Sequence, residues 1–351
     1  MRILYGITAN GNGHLSRSRR IVRMLRERGH ELGLVISGEP GKTIMDNEEL
    51  APYRRFAGFS FADKNGSMSA LETLRASKPG IFLRNLLRDM PPGSFDLAVT
   101  DYEPLTAWYA RLHGIPSVGV CHMYSFIYPG VPVPPSRWYE KLTFRWLAPA
   151  DIMLGTHWFP YHRNVIPPFV PPVDTSAEDG RLVLVYLPWE APESYLEVLK
   201  SMGTLDFIVY GSKMAPVREG NIEMKPASRE GFLADLGRCS SVIANAGFAL
   251  ASEAASLGKR LMLKPYAGQV EQEHNALEAE RLGLATRVES INTDAVESFL
   301  ATPKPIGIPY PDITPLFVSW LETKPREFDE PTHLAMWGNV SRETPSGSPT
   351  R

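Results

Sequence analysis

Ile3 to Ile7 is a short apolar run, the pattern of a strand buried on both faces. A loop of small and polar residues comes next, from Thr8 to His14. A helical pattern then runs from Leu15 to Arg28. In it Ser18, Ile21, Val22 and Leu25 fall at i, i+3, i+4 and i+7 and make a core face. Arg17, Arg19, Arg20, Arg23, Arg26 and Arg28 cover the rest, a local basic face. Gly29 stops the helix, and Glu31 to Ser37 reads as a second strand. Strand, tight loop, helix and strand form one βαβ unit, so a parallel sheet is expected.

The same alternation continues. Asp96 to Thr100 is a strand that ends at Asp101, Pro104 to His113 a helix, and Ile115 to Val120 a strand. Asn164 to Gly180 carries Pro167, Pro168, Pro171 and Pro172 and then polar residues, which suits a stiff, solvated linker. Beyond it the α/β pattern restarts. Strands are expected at Leu182–Leu187, Phe207–Tyr210, Ser241–Ala244 and Leu261–Lys264. Helices are expected at Glu193–Met202, Arg229–Leu236, Phe248–Leu257 and Glu271–Leu282. The fold class is therefore α/β, with two Rossmann-like doubly wound domains facing a cleft. The expected division is 1–163, a linker at 164–180, 181–312, a C-terminal helix within 313–337 that packs back on the first domain, and a disordered tail at 338–351.

Composition excludes more than it identifies. At 43% hydrophobic and 22% charged, the chain is neither disordered nor fibrous. A net charge of -2 gives no basic excess for nucleic acid. Cys121 and Cys239 form no metal spacing or disulfide framework, which suits a reducing, cytoplasmic setting. The first residues lack a signal-peptide pattern. No apolar run approaches the ~20 residues of a membrane span.

Chemistry concentrates at strand-to-helix turns. Gly11 and Gly13 sit between the first strand and a helix N-terminus, where free N–H groups favour an anion. Gly11-Asn12-Gly13-His14-Leu15-Ser16 lacks the third glycine of a dinucleotide fingerprint, and no P-loop Lys is present after it. A nicotinamide-linked dehydrogenase is thereby disfavoured. His14 faces the ligand crevice and can act as a base. The plainer alternative is a histidine packed on the loop. Asp101 ends its strand on the same rim, where its carboxylate can fix an imidazole tautomer. Its alternative role is to cap the helix near Pro104. In the second half, Asn245-Ala246-Gly247 leads into Phe248, Ala249 and Leu250, a second anion site, with Ser252-Glu253 in the same helix. Glu271, Gln272 and Asn275 open a later helix with the acceptors and donors that suit sugar hydroxyls.

Together these pieces resemble the GT-B glycosyltransferases, over about residues 1 to 325. The likeness is to the branch holding the UDP-glucuronosyltransferases and the bacterial N-acetylglucosaminyltransferase of the peptidoglycan precursor. The Gly-Asn-Gly-His loop looks like that branch's glycine-rich loop, and Val99-Thr100-Asp101 with Gly114-Ile115-Pro116 after it looks like its aspartate strand. The resemblance implies that His14 is the general base and Asp101 its partner. It implies that Gly11, Gly13, Asn245 and the Gly247, Phe248, Ala249 and Leu250 backbone serve the donor diphosphate. Glu253 would then bind the ribose, and Glu271, Gln272 and Asn275 the donor sugar. Two departures stand out: Asn245 where many relatives have His or Arg, and Glu271 where Asp is usual. The plant-type donor signature is also absent around Pro226 to Ala244.

The activity implied by the resemblance is inverting transfer of a hexose-type sugar from a nucleotide donor, UDP in this branch, to an acceptor hydroxyl. No Asp-x-Asp motif occurs, so neither metal nor cofactor is expected. The partners expected are a nucleotide sugar and a small-molecule or lipid acceptor held near Asp63–Asp89 and His122–Trp146. Peripheral contact with the inner face of a membrane, through Trp138, Phe144 and Trp146 beside Arg137, Lys141 and Arg145, is a further expectation. Two other readings share the fold. One is a UDP-sugar 2-epimerase, which needs no acceptor. The other is a non-catalytic nucleotide-sugar binder.

Overall fold

The computed structural model describes residues 1–9, 11–38, 47–58, 63–64, 67–68, 79–133, 138–211 and 216–340. The chain divides into two compact units. One is Met1–Phe169 together with Pro311–Asn339, the other Val170–Tyr310 together with Val340.

The first unit is built on a seven-stranded parallel sheet. Strands are numbered in chain order: β1 (Arg2–Thr8), β2 (Glu31–Gly38), β3 (Tyr53–Ala57), a separate antiparallel pair β4 (Asp63–Lys64) and β5 (Ser67–Met68), then β6 (Leu97–Asp101), β7 (Ser117–Cys121), β8 (Ile152–Thr156) and β9 (Val165–Ile166). Their order in the sheet is β3-β2-β1-β6-β7-β8-β9. The chain thus winds outward from β1 in one direction and from β6 in the other. Ile7 on β1 lies opposite Asp101 on β6. The crevice outside the carboxyl ends of β1 and β6 is the switch point where such sheets bind ligands.

The second unit repeats the plan with β10 (Asp179–Tyr186), β11 (Asp206–Gly211), β12 (Val217–Glu219), β13 (Ile222–Pro226), β14 (Cys239–Asn245), β15 (Arg260–Lys264) and β16 (Thr286–Arg287). The order is β12-β13-β11-β10-β14-β15-β16, parallel except for the β12–β13 pair. Its switch point lies between β10 and β14.

Several elements differ from those the sequence pattern predicts. The first helix spans Asn12–Glu27, three residues longer at its start, because Gly11 takes an extended backbone and serves as N-cap. Arg17 and Arg19 are buried, so they do not belong to a solvated basic face. The other arginines of that face are tied down. Arg20 pairs with Asp312, Arg28 with Glu322 at 2.7 Å and Ser319 at 2.9 Å, Arg23 with Glu49, and Arg26 with the Glu49, Leu50 and Ala51 carbonyls. The linker stretch opens with β9 and closes with the start of β10. The C-terminal segment is two helices, Thr314–Glu322 and Glu330–Trp337, separated by a turn in which Lys324 has a φ of 50°.

Those C-terminal helices complete the first unit's core. Phe317, Val318 and Leu321 are fully buried in one cluster with Ile21, Val22 and Leu25 of the first helix. Each large apolar side chain so buried contributes about 1.5–3 kcal/mol of transfer free energy. Trp337 donates its indole N–H to the Val165 carbonyl at 2.9 Å, which satisfies the one polar atom of a fully buried ring.

The aromatic segment is mostly core. Phe144 is buried against Phe126, with ring centroids 5.6 Å apart, so it is no part of a membrane-facing surface. Trp146 is 51% exposed and lies under the Arg111 guanidinium. Arg137 and the Trp138 side chain lie outside the described residues, as do most of 59–78 and all of 341–351. Among the described residues no helix is long and apolar enough to cross a membrane.

Candidate active site

At the first switch point the loop after β1 delivers His14 into the first turn of the helix Asn12–Glu27. Asp101, the last residue of β6, is fully buried beneath it. The imidazole Nδ1 lies 2.7 Å from Asp101 Oδ1. An ionised carboxylate only accepts hydrogen bonds, so Nδ1 carries the proton and Nε2 is the accepting nitrogen. His14 keeps 20% of its side chain exposed, and Asp101 none.

Asp101 also receives three other hydrogen bonds. Arg17 donates from Nε to Oδ2 at 3.1 Å and from Nη2 to Oδ1 at 2.5 Å. Ser18 donates to Oδ2 at 2.8 Å and accepts from Tyr5 OH at 3.3 Å. The roughly four acceptor positions of a carboxylate are thus all engaged. Burial alone would raise the Asp101 carboxyl, but Arg17 and then His14 outweigh it and hold it below its ordinary value. Burial likewise opposes the charge on Arg17, yet Asp101 drives that guanidinium above its ordinary range. Tyr5 is pushed up by burial and then by Asp101, and stays a neutral donor.

Sequence pattern points to His14 and Asp101 and misses Arg17 and Ser18 as their partners. The available signal is spacing: residues at i+3 and i+4 from His14 share its helix face. The alternative role for Asp101 falls to a neighbour. Glu103 caps the helix Pro104–His113, accepting from the Leu105 and Thr106 amides at 2.9 and 2.7 Å. Between them Tyr102 has a φ of 53°, a left-handed conformation that costs a non-glycine residue about 1–2 kcal/mol. Thr8 holds that turn by donating to the Tyr102 carbonyl at 2.7 Å. The reversal lets β6 end on an inward-facing carboxylate while Glu103 still reaches the next helix.

His14, Asp101 and Cys121 bring one ligand-type atom each within 4.8 Å of one another. A cation already stands among them: Arg17 Nη2 lies 2.5 Å from Asp101 Oδ1 and 3.3 Å from His14 Nδ1. A second full charge there would meet the guanidinium at contact distance, so the cluster is built as a hydrogen-bonded site.

At the second switch point Asn245 ends β14. It accepts from the Trp189 amide at 3.3 Å and donates to Glu190 at 3.2 Å and to the Lys264 carbonyl at 3.0 Å. Lys264 closes the ring on Glu190 at 2.7 Å. Asn245 thereby ties the ends of β10, β14 and β15 together. Gly247 then starts the helix Phe248–Ser256, and no side chain caps that end. A Cβ on Gly247 would meet nothing within 4 Å, so the turn opens on free space. This is the geometry of a helix N-terminus ready for an anion. Glu253 is buried in the same helix and paired with Arg229 at 2.9 Å.

Of the remaining sequence-predicted groups, Asn275 supports this turn and Gln272 braces the loop after β15. Asn275 is buried and donates to the Ala246 carbonyl at 2.9 Å. Gln272 is buried and accepts from the Tyr266 amide at 2.9 Å. Glu271 is half-exposed in the first turn of the helix Val270–Arg281. Gly11 caps the first helix with open space around it, and Gly13 lies in that helix's first turn.

Comparison with known proteins agrees with this architecture. The profile of a family described as Glycosyl transferase family 1 matches residues 1–303. No curated protein matches the chain. Among solved structures, the glycotransferase of kitacinnamycin superposes with a TM-score of 0.58 at 16% identity, over 96% of this chain and 96% of that one. Arabidopsis thaliana UGT89C1, solved with UDP, gives 0.58 at 13% identity, over 97% and 96%. The UDP-GlcNAc 2-epimerase from Neisseria meningitidis, solved bound to UDP-GlcNAc, gives 0.56 at 14% identity, over 93% and 100%. At these identities the likeness is one of fold, the two Rossmann-like α/β domains of the GT-B class.

Proposed function

We propose, on the premise that this chain belongs to glycosyl transferase family 1 and is a glycosyltransferase, that it moves a hexose-type sugar from a nucleotide donor to an acceptor hydroxyl with inversion. The observation that carries the reading is the His14–Asp101 bond at the carboxyl ends of β1 and β6. With Nδ1–H held by Asp101, His14 Nε2 takes the proton of the acceptor hydroxyl. The acceptor oxygen bonds to the anomeric carbon as that carbon's bond to the diphosphate breaks. The bonding electrons leave with the diphosphate, and the proton ends on His14.

In this reading the diphosphate lies at the N-terminus of the helix Phe248–Ser256, against the Gly247 to Leu250 backbone, where the helix end stabilises the growing negative charge. Asn245 and Asn275 act by fixing the turn, and Glu253 accepts from the ribose while Arg229 holds its other side. Glu271 and Gln272 complete the donor-sugar end. UDP is the favoured nucleotide, supported by the UDP and UDP-GlcNAc in two of the fold relatives. The transfer needs no metal on this reading, because the N-terminus of the helix Phe248–Ser256 supplies the positive charge at the diphosphate.

The test is His14→Ala. Transfer should fall at least ~100-fold while donor binding is kept. Near-normal turnover would sink the base role. A thermal-shift screen of UDP-, dTDP- and GDP-sugars fixes the donor. The epimerase neighbour covers nearly the whole chain, and it gives the alternative a clear outcome. Epimerised nucleotide sugar released without any acceptor would replace transfer as the activity.

A further inference from the structure

The dyad has a third charged member. Arg17 sits one turn after His14, on the same face of the helix, and is itself buried, with 9% of its side chain exposed. Its guanidinium grips Asp101 in a fork, Nε on one oxygen and Nη2 on the other. Asp101 comes from a strand 84 residues further along the chain, so helix and strand meet through this pair. His14 reaches only Oδ1, the same oxygen that Nη2 holds. Arg17 Nη2 and His14 Nδ1 are 3.3 Å apart. Both carry donated hydrogens, so neither bonds the other, and the carboxylate oxygen is shared between them.

We infer that Arg17 is a positioning residue of the site: its fork fixes the rotation of the Asp101 carboxylate, and that rotation selects the His14 tautomer.

A single imidazole bond to one oxygen leaves a carboxylate free to turn about χ2, which is a broad torsion. The planar fork of a guanidinium removes that freedom, because its two N–H groups match the two oxygens. Ser18, backed by Tyr5, adds one further bond on Oδ2. The same contacts set the charge balance. Before proton transfer Asp101 and Arg17 cancel, and the trio is neutral when His14 is neutral. After transfer the trio carries one positive charge. The new charge is the imidazolium's, and it forms against a carboxylate oxygen that is already oriented and desolvated.

The inference rests on the base reading only for its bearing on activity. Its own test is spectroscopic and uses the full chain without substrate. Long-range 1H–15N correlation on 15N-histidine-labelled protein reads the protonated nitrogen of each imidazole, with His14→Ala identifying the His14 signals. In the native protein His14 is expected to show one tautomer, with the proton on Nδ1. In Arg17→Gln the carboxylate loses its fork, and a mixture with the Nε2–H form of at least about one part in five is expected. Arg17→Lys keeps the charge and reaches one oxygen, so an intermediate mixture is expected. Pure Nδ1–H in both variants would overturn the inference, since Asp101 would then be held without Arg17. If Arg17→Gln does not fold, Arg17→Lys decides alone, and native-like purity in it has the same meaning. Loss of turnover in His14→Ala is read separately. A failure there removes the base role and leaves the tautomer result standing.

Discussion

Replacing Asp101 with asparagine should destabilise the first unit far more than an ordinary surface change. The substitution keeps the shape and one acceptor oxygen. It removes the negative charge that two buried oxygens share among four donors. The Arg17 guanidinium, 9% exposed, is then a buried cation without its anion. Breaking a buried pair from one side costs about 3–5 kcal/mol. For a unit of this size about 2–4 °C of melting temperature corresponds to each kcal/mol, so the first unit should melt roughly 6–20 °C lower. Scanning calorimetry at neutral pH reads this directly. The pair Asp101→Asn with Arg17→Gln removes the orphaned charge as well, and should recover a substantial part of the loss. A shift below about 2 °C, or a double variant that simply adds the two single effects, would refute the buried-pair account. Acid gives a second check. The folded Asp101 carboxyl lies below its ordinary value. The stability it contributes is therefore present above the unfolded carboxyl pKa of about 3.9 and is lost as pH falls through the lower folded value. Below the folded value, native protein and Asp101→Asn should converge.

Two other changes test the scaffold. In Gly6→Ala the new methyl would lie 2.2 Å from Thr106 Oγ1 and 2.9 Å from Glu103 Oε2, so a loss of about 1–3 kcal/mol from overpacking is expected in denaturant unfolding; an unchanged midpoint would show that β1 and the helix can separate freely. Asn275→Ala frees the Ala246 carbonyl and should cost about 1–3 kcal/mol together with weaker donor binding by calorimetric titration; unchanged binding would remove Asn275 from the turn's support.

The alternating pattern makes most of the parallel strands legible, because a strand buried on both faces is a short apolar run and a helix comes after most of them. The helix Pro104–His113 is readable to its ends, since a proline opens it and Gly114 closes it in a left-handed conformation. The short edge pair β12 and β13 is not, because Arg218, Glu219, Glu223 and Lys225 give it no apolar run. His14 and Asp101 are legible because each stands at the end of a buried strand, where topology puts ligands. Arg17 is not, because an arginine on a helix rich in arginines reads as solvated until the strand that supplies its carboxylate is known. The same limit hides the break at Lys324. Nothing near it is proline or glycine except Pro325, and the fixed points of the two helices are long-range partners such as Glu322 to Arg28 and Trp337 to Val165.

The first unit is discontinuous in sequence, with about 140 residues of the second unit inserted before its last two helices. On a ribosome adding about 5–20 residues per second, that insertion imposes a wait of roughly seven to thirty seconds. During it, the first 169 residues are present without Ile313, Phe317, Val318, Leu321, Phe328 and Met336, all of which belong to their core. Asp312 and Glu322, the acidic partners of Arg20 and Arg28, are also still to be made. The later-made unit, continuous in its described strands, can close first, and the earlier-made one is sealed last by its own C-terminal segment.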